Sequence, residues 1–244
     1  MCTTCGCPAT EHTHNHEHSH EHSTESGKRT KISIEEDILS KNNHLAGINR
    51  KLFKEKGIFV LNLVSSPGSG KTTLLERTLR DLSEKMHCAV IEGDQQTDND
   101  AQRIAATGVP VKQINTGAGC HLDAHQIMHG IENFDLENLD LLLIENVGNL
   151  VCPAAFDLGE HHKVAVLSVT EGEDKPLKYP QMFHNSTVML LNKIDLLPHL
   201  DFDVEKCKEY ARRVSPNILI FEVSAKSGEG MEAWYQWLCN GVQL

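Results

Sequence analysis

A chain of 244 residues carrying 34 acidic and 23 basic side chains, a formal charge of -11, is long enough to bury a core unaided and wrongly charged for binding nucleic acid. No apolar run approaches the roughly 20 residues of a membrane span. The Cys- and His-bearing start has no signal-peptide core, so a cytoplasmic protein without membrane or nucleic-acid partners is expected.

Residues 1–30 offer almost nothing to a core and read as a flexible metal-binding tail. In a reducing compartment the eight cysteines are expected as thiols or metal ligands, not disulfides. Cys2-x-x-Cys5-x-Cys7 can wrap one borderline ion without a supporting fold, Zn²⁺ as a tetrahedron or Ni²⁺ in a plane. His12, His14, His16, His18, His20 and His22 alternate. In an extended chain they would recur on one side every ~7 Å, which suits labile capture of several Ni²⁺ ions. From Ile32 to about Lys56, apolar residues at Ile34, Ile38, Leu45, Ile48 and Leu52 predict an amphipathic helix or two, a lead-in over 31–56.

The rhythm changes over 57–244. Short, consecutively apolar runs predict strands at 58–64, 88–91, 109–114, 139–144, 164–169, 188–191 and 218–223, with helices between them, for example 72–85 and 204–214. This is the pattern of a doubly wound, mostly parallel α/β sheet with helices on both faces, whose ligands bind beyond the carboxyl ends of the strands.

After the first run comes Ser65-Ser66-Pro67-Gly68-Ser69-Gly70-Lys71-Thr72. A strand, a Gly-rich turn and a new helix make a phosphate cradle in which Gly68, Ser69 and Gly70 let backbone N–H groups approach the ligand. Lys71 would reach the β- and γ-phosphates and the Thr72 hydroxyl would ligate Mg²⁺. Ser65 stands where the usual motif has Gly. Asn192-Lys193-Ile194-Asp195 follows a later strand, and Asp195 could accept two hydrogen bonds from guanine that adenine does not offer. Ser224-Ala225-Lys226 sits after the last strand, with the Ala225 amide near the guanine O6. The nucleotide expected is GTP. Glu145, ending its strand ahead of Asn146-Val147-Gly148, and Asp94, within a polar loop, are candidates to hold Mg²⁺ or orient water, and the Gly148 amide could sense the γ-phosphate. Asp98 reads as a helix cap.

Cys120-His121 and Cys152 fall in loops expected at the nucleotide end and could form a metal site coupled to the switch elements. His125 and His129 continue the face of His121 and read as surface histidines. Cys88, Cys207 and Cys239 read as small buried hydrophobes.

The tail Met1-Cys2-Thr3-Thr4-Cys5-Gly6-Cys7, the loop through Thr73, the segment 92–100, Gly119-Cys120-His121-Leu122, the segment 145–152 and Asn192-Lys193-Ile194-Asp195 together resemble the HypB family of nickel-handling GTPases. The resemblance implies GTP hydrolysis, Ni²⁺ at Cys2, Cys5 and Cys7, and Ni²⁺ or Zn²⁺ at Cys120, His121 and Cys152. It also implies delivery of nickel to the [NiFe]-hydrogenase large-subunit precursor with a HypA-type accessory protein and sometimes a nickel-binding prolyl isomerase, and dimers formed across the nucleotide faces. Two alternatives stand beside it. A urease-accessory GTPase shares the fold but carries Cys-Pro-His, where this chain reads Cys152-Pro153-Ala154. A nickel-storage protein would use the nucleotide domain mainly as a scaffold.

Overall fold

The computed structural model describes residues 24–94, 99–117 and 119–242, with side chains from residue 36 onward. It divides between Asp37 and Ile38 into two compact units. Of the first, the described residues are the opening turns of helix α1 (Thr24–Lys56), which starts inside the stretch read as tail and runs as one helix through the predicted lead-in. Cys2, Cys5, Cys7, His12, His14, His16, His18, His20 and His22 lie outside the described residues, as do Gln95, Gln96, Thr97, Asp98 and Ala118.

The second unit is a seven-stranded parallel sheet in the order β3-β2-β4-β1-β5-β6-β7. Its strands are β1 (Phe59–Ser65), β2 (Cys88–Asp94), β3 (Val111–Asn115), β4 (Leu141–Gly148), β5 (His162–Ser168), β6 (Val188–Asn192) and β7 (Leu219–Glu222). All seven fall where apolar runs predict them. β2 and β4 run further than predicted, because Glu92, read as loop, and Glu145, read as the end of its strand, stay in register across the ladder.

Strand alternation divides the apolar residues between two faces. Leu61, Leu63, Val90, Leu141 and Leu143 pack with α2 (Lys71–Leu82), α3 (Asn99–Ala105) and α9 (Met231–Val242), where Trp234 is fully buried. Val60, Ile91, Leu142 and Ile144 face the other way, against Phe53 of α1 and Ile127 of α4 (Ala124–Gly130). Further along that side, Leu167 and Leu191 meet α7 (Pro180–His184) and α8 (Val204–Val214). Cys88 and Cys207 belong to these cores, and burial pushes each thiol up to about 12, so they behave as hydrophobes. The short helices α5 (Cys152–Ala155) and α6 (Lys175–Lys178) cover the carboxyl end. No helix among the described residues is long and apolar enough to cross a membrane.

Candidate nucleotide and metal sites

β1 ends at Ser65 and α2 begins at Lys71, so residues 65–73 form the loop that opens the helix. Gly70 adopts φ 91° immediately before the helix, and no side chain caps the first turn. The N–H groups of that turn are therefore left for a ligand, and they sit at the positive end of the helix dipole. A Cβ on Gly70 would lie 2.7 Å from Asn192 Nδ2, so this glycine serves both backbone conformation and close approach. The loop lines a cavity of about 590 Å³ together with Asp94, Arg103, Gly148 and Lys193.

Behind the loop the charged side chains interlock. Thr72 Oγ1 donates to Glu145 Oε1 at 2.7 Å, and Lys71 Nζ lies 3.2 Å from the same oxygen. The Glu145 side chain is 2 % exposed, and its Oε2 finds no hydrogen-bond partner among the described residues. The same holds for Oε2 of buried Glu92, its register partner on β2. Burial first, then the charges of Glu145, Asp94 and Asp100, push the Glu92 carboxyl up to about 8. Sequence reasoning places Glu92 only in a polar loop. The signal that finds it is the pairing of β2 with β4, which no local pattern carries. Arg103 was missed for a similar reason. It reaches from α3 to Glu76 (2.6 Å), Asp100 and Thr73 Oγ1 (both 3.1 Å) and so edges the phosphate cavity.

The base end is a clasp of two loops. Asn192 Nδ2 donates to Ser69 O at 3.0 Å, and its Oδ1 accepts from the amides of Lys193 (2.8 Å) and Ala225 (3.3 Å). Lys193 Nζ donates to Gly68 O at 2.6 Å, and Lys193 is the non-glycine residue with positive φ among those described, at 64°. That left-handed backbone costs roughly 1–2 kcal/mol, so the Asn192 and Ala225 contacts must hold it. Ser224 Oγ donates to Asp195 Oδ1 at 2.6 Å, which fixes the half-buried carboxylate at the mouth, with Lys226 exposed beside it.

Cys120 and His121 precede α4, and Cys152 opens α5. One ligand atom from each of Cys120, His121 and Cys152 lies within 4.8 Å of the others. The sequence predicts thiols or metal ligands and no disulfide, whereas Cys120 and Cys152 are joined as a disulfide with their Cα atoms 6.1 Å apart. Two thiols aimed at one point can either close on each other or clamp an ion, and this Cα spacing lies within the ordinary disulfide range. Phe156 lies against the His121 ring at 3.8 Å between centroids, and burial holds the imidazole below its ordinary pKa, which keeps it neutral and able to ligate. His125 and His129 are exposed, with Nε2 atoms 3.2 Å apart, and Glu132 contacts the Nδ1 of His129 at 2.8 Å.

The segments carrying this triad are braced from α1. Asn42 Oδ1 accepts from Ala124 N (2.9 Å) and its Nδ2 donates to Asp157 O (2.8 Å). Asn49, seven residues on and therefore on the same helical face, donates to Ala124 O (2.8 Å) and Leu158 O (3.0 Å). The lead-in thus has a structural task that its apolar pattern does not reveal.

A phosphate cradle at a helix start and a two-loop base clasp, both at the carboxyl end of a parallel sheet, define a P-loop nucleotide-binding protein. Residues 59–222 match the family model described as CobW/HypB/UreG, nucleotide-binding domain. Hydrogenase maturation factor HypB of Azotobacter vinelandii is 66% identical over 207 residues, covering 85% of this chain and 68% of that protein. Hydrogenase/urease maturation factor HypB of Helicobacter pylori is 42% identical over 211 residues, covering 85% and 86%. The crystal structure of HypB from Helicobacter pylori in complex with nickel superposes with a TM-score of 0.79 at 39% identity, covering 83% of this chain and 95% of that one. The chain belongs to the CobW/HypB/UreG nucleotide-binding family and, within it, to the HypB hydrogenase maturation factors.

Proposed function

We propose that this protein hydrolyses GTP to GDP and phosphate and passes nickel toward the [NiFe]-hydrogenase large-subunit precursor, with metal affinity set by the bound nucleotide. The observation that carries the reading is the convergence of Cys120, His121 and Cys152 within 4.8 Å on segments adjoining residues 145–148, whose Gly148 also lines the nucleotide cavity.

On this reading Lys71 leaves Glu145 for the β- and γ-phosphates when GTP enters, because a triphosphate carries more charge than one carboxylate. The α2 amides bind the same oxygens, and Asp195, held by Ser224, selects guanine. Thr72, Asp94 and Glu145 would hold Mg²⁺, and the unpartnered buried oxygens of Glu145 and Glu92 fit a cation there. Bound Mg²⁺ would neutralise charge developing on the phosphate oxygens. Asp94 or Glu145 orients the attacking water. Cys120, His121 and Cys152 take Ni²⁺ as cargo or Zn²⁺ in its place. Cys2, Cys5 and Cys7 form a second nickel site, and the histidine tract stores ions. The same reading divides the chain into a metal-binding tail over 1–30, a helical lead-in over 31–56 and a nucleotide domain over 57–244. It includes a homodimer, a HypA-type accessory protein and a nickel-binding prolyl isomerase as partners.

The name of the Helicobacter pylori relative joins hydrogenase to urease, which supports a second reading in which urease is a client as well.

The test pairs a biochemical and a cellular measurement. Purified protein should release phosphate from GTP, with release abolished by Lys71→Ala. A strain lacking the gene should lose hydrogenase activity and regain it with excess nickel. Normal hydrogenase alongside impaired urease would move the client; normal levels of both would sink the nickel-delivery reading.

A further inference from the structure

β4 carries Glu145 and Asn146 side by side, and strand alternation sends them to opposite faces of the sheet. Glu145 meets Thr72 and Lys71 on the phosphate side. Asn146, 1 % exposed, belongs to a different network. Its Oδ1 accepts from Leu122 N at 3.1 Å and from Val147 N at 3.0 Å. Leu122 directly follows His121, and Val147 directly precedes the cavity-lining Gly148. Its Nδ2 donates to Asn62 Oδ1 at 3.2 Å, and Asn62 Nδ2 donates to Glu160 Oε1 at 3.0 Å. Glu160 lies 3.9 Å from Lys163 Nζ and accepts from Leu158 N at 2.7 Å. Lys163 Nζ in turn donates to the carbonyls of Pro153 (2.9 Å), Ala154 (3.2 Å) and Phe156 (3.0 Å), which are the residues that follow Cys152.

One buried chain of polar side chains therefore ends on the Cys120/His121 arm at one side and on the Cys152 arm at the other. Its middle member shares a strand with the carboxylate that touches the phosphate loop. The Leu122 end is also packed against the sheet: a Cβ on Gly93 would meet the Leu122 side chain at 2.7 Å, one residue from Asp94. Such a chain has little slack. Every side-chain nitrogen in it has a partner, and water cannot replace a broken link at nearly full burial without cost.

We propose that Asn146 and Asn62 are positioning residues that transmit nucleotide state to the metal triad, with Glu160 and Lys163 completing the path to Cys152. This rests on the coupling in the proposed function and names its carriers. A shift of residues 145–148 when nucleotide changes moves the Asn146 amide. Because that amide holds both Leu122 N and Asn62, the spacing of the two cysteine arms changes with it. The ligands are divalent Ni²⁺ or Zn²⁺ at the triad and a guanine nucleotide at the loop. The link is reciprocal, so metal at the triad must alter nucleotide affinity by the same factor.

The test uses the full chain carrying Cys2→Ser, Cys5→Ser and Cys7→Ser, with the Cys120–Cys152 pair reduced. Cys239→Ser is added because that thiol is only half-buried, and thiolate-to-nickel charge-transfer absorption then reports the triad, since the histidine tract gives none and Cys88 and Cys207 are buried. Ni²⁺ is titrated against a competing chelator with GDP bound and with a non-hydrolysable GTP analogue bound, and the ratio of the two affinities is the readout. A uniform loss of packing cancels in that ratio. The parent should give a ratio of about fivefold or more, and Asn62→Ala should bring it to within about twofold of one, with GDP affinity changed less than about threefold. Asn146→Asp cuts the same link from the other side at constant volume while keeping an oxygen that accepts from Leu122 N and Val147 N, and it gives the result should Asn62→Ala fail to fold. A parent ratio above fivefold that both variants retain overturns the relay and leaves the coupling standing. A parent ratio of one overturns the coupling itself, and the relay with it.

Discussion

Lys163→Met probes the buried ammonium that donates to three carbonyls. The Lys163 side chain is 6 % exposed and its ammonium serves three carbonyls, at 2.9, 3.2 and 3.0 Å, with Glu160 at 3.9 Å. Methionine fills a similar volume but leaves the Pro153 and Phe156 carbonyls without this donor; Ala154 O keeps Asn185 Nδ2 at 2.9 Å. Glu160 is left buried without its cation. Breaking a buried pair from one side costs about 3–5 kcal/mol. In a unit of this size each kcal/mol is worth about 2–4 °C, so the thermal midpoint followed by circular dichroism should fall by about 10 °C. Burial pushes the Glu160 carboxyl above its ordinary pKa, and Lys163 is the charge that opposes this rise. Without Lys163 the carboxyl takes up a proton more readily when folded than when unfolded. A group of that sign adds stability at low pH and loses it as pH rises through the folded value, so the deficit should shrink from about pH 8 to about pH 5. Adding Glu160→Gln should recover part of the loss at neutral pH, because it removes the uncompensated charge. A loss under about 1 kcal/mol, the same at both pH values, would mean that the ammonium behaves as a hydrated surface charge, and the reasoning would be refuted.

Gly70→Ala should abolish nucleotide binding in a fluorescent-GDP titration while leaving the far-ultraviolet spectrum intact, since the new methyl would press on Asn192 at 2.7 Å in a backbone of φ 91°; near-normal binding would mean the loop has room to give. Asp195→Asn should weaken GTP by roughly two decades, as two charge-assisted bonds are lost, and should improve xanthosine triphosphate in competition assays. If the variant still prefers GTP, Asp195 does not read the base. Tyr235→Phe removes the hydroxyl that donates to Asp81 Oδ2 at 2.7 Å, beside Arg77 at 2.7 Å. Burial raises the Asp81 carboxyl, but Tyr235 and Arg77 outweigh it and hold it below its ordinary value. The stability gained from such a group is present above the unfolded pKa and lost below it, so urea unfolding should show a cost of about 1 kcal/mol at neutral pH that fades near pH 3.

What the sequence makes legible here is whatever is local. The phosphate loop shows itself because its chemistry occupies eight consecutive residues, and the strands show themselves because both of their faces are buried. Asn192 and Ala225 could be assigned to one clasp only through their order along the chain, and they do meet, at 3.3 Å. Contacts made across the sheet are another matter. Glu92 and Glu145 become neighbours only when β2 pairs with β4, and a sequence pattern does not set strand order. Asn62 and Asn146 look like isolated polar positions within their strands, and Glu160 and Lys163 like part of the polar run ahead of β5. Their burial and mutual bonding make them a unit, and that requires β1, β4 and the segment after α5 to be in place. Asn42 and Asn49 look like ordinary polar positions of an amphipathic helix until their partners, Ala124, Asp157 and Leu158, are seen.

The neighbouring placement of Glu145 and Asn146 also limits how the gene can change. Where consecutive residues serve opposite faces, losing or gaining one codon upstream within the strand turns each toward the other's partners, and every apolar neighbour on β4 turns with them. Substitutions along β4 can be graded by size and polarity; changes of length cannot. Ahead of β4, Leu139 is already core and Asp140 is bonded to Phe59 and His87, so only the exposed turn at Asp135, Glu137 and Asn138 should absorb insertions. A deletion scan of this region should therefore drop to nothing at Leu139 and stay there to Gly148, a boundary drawn by strand register rather than by side-chain chemistry.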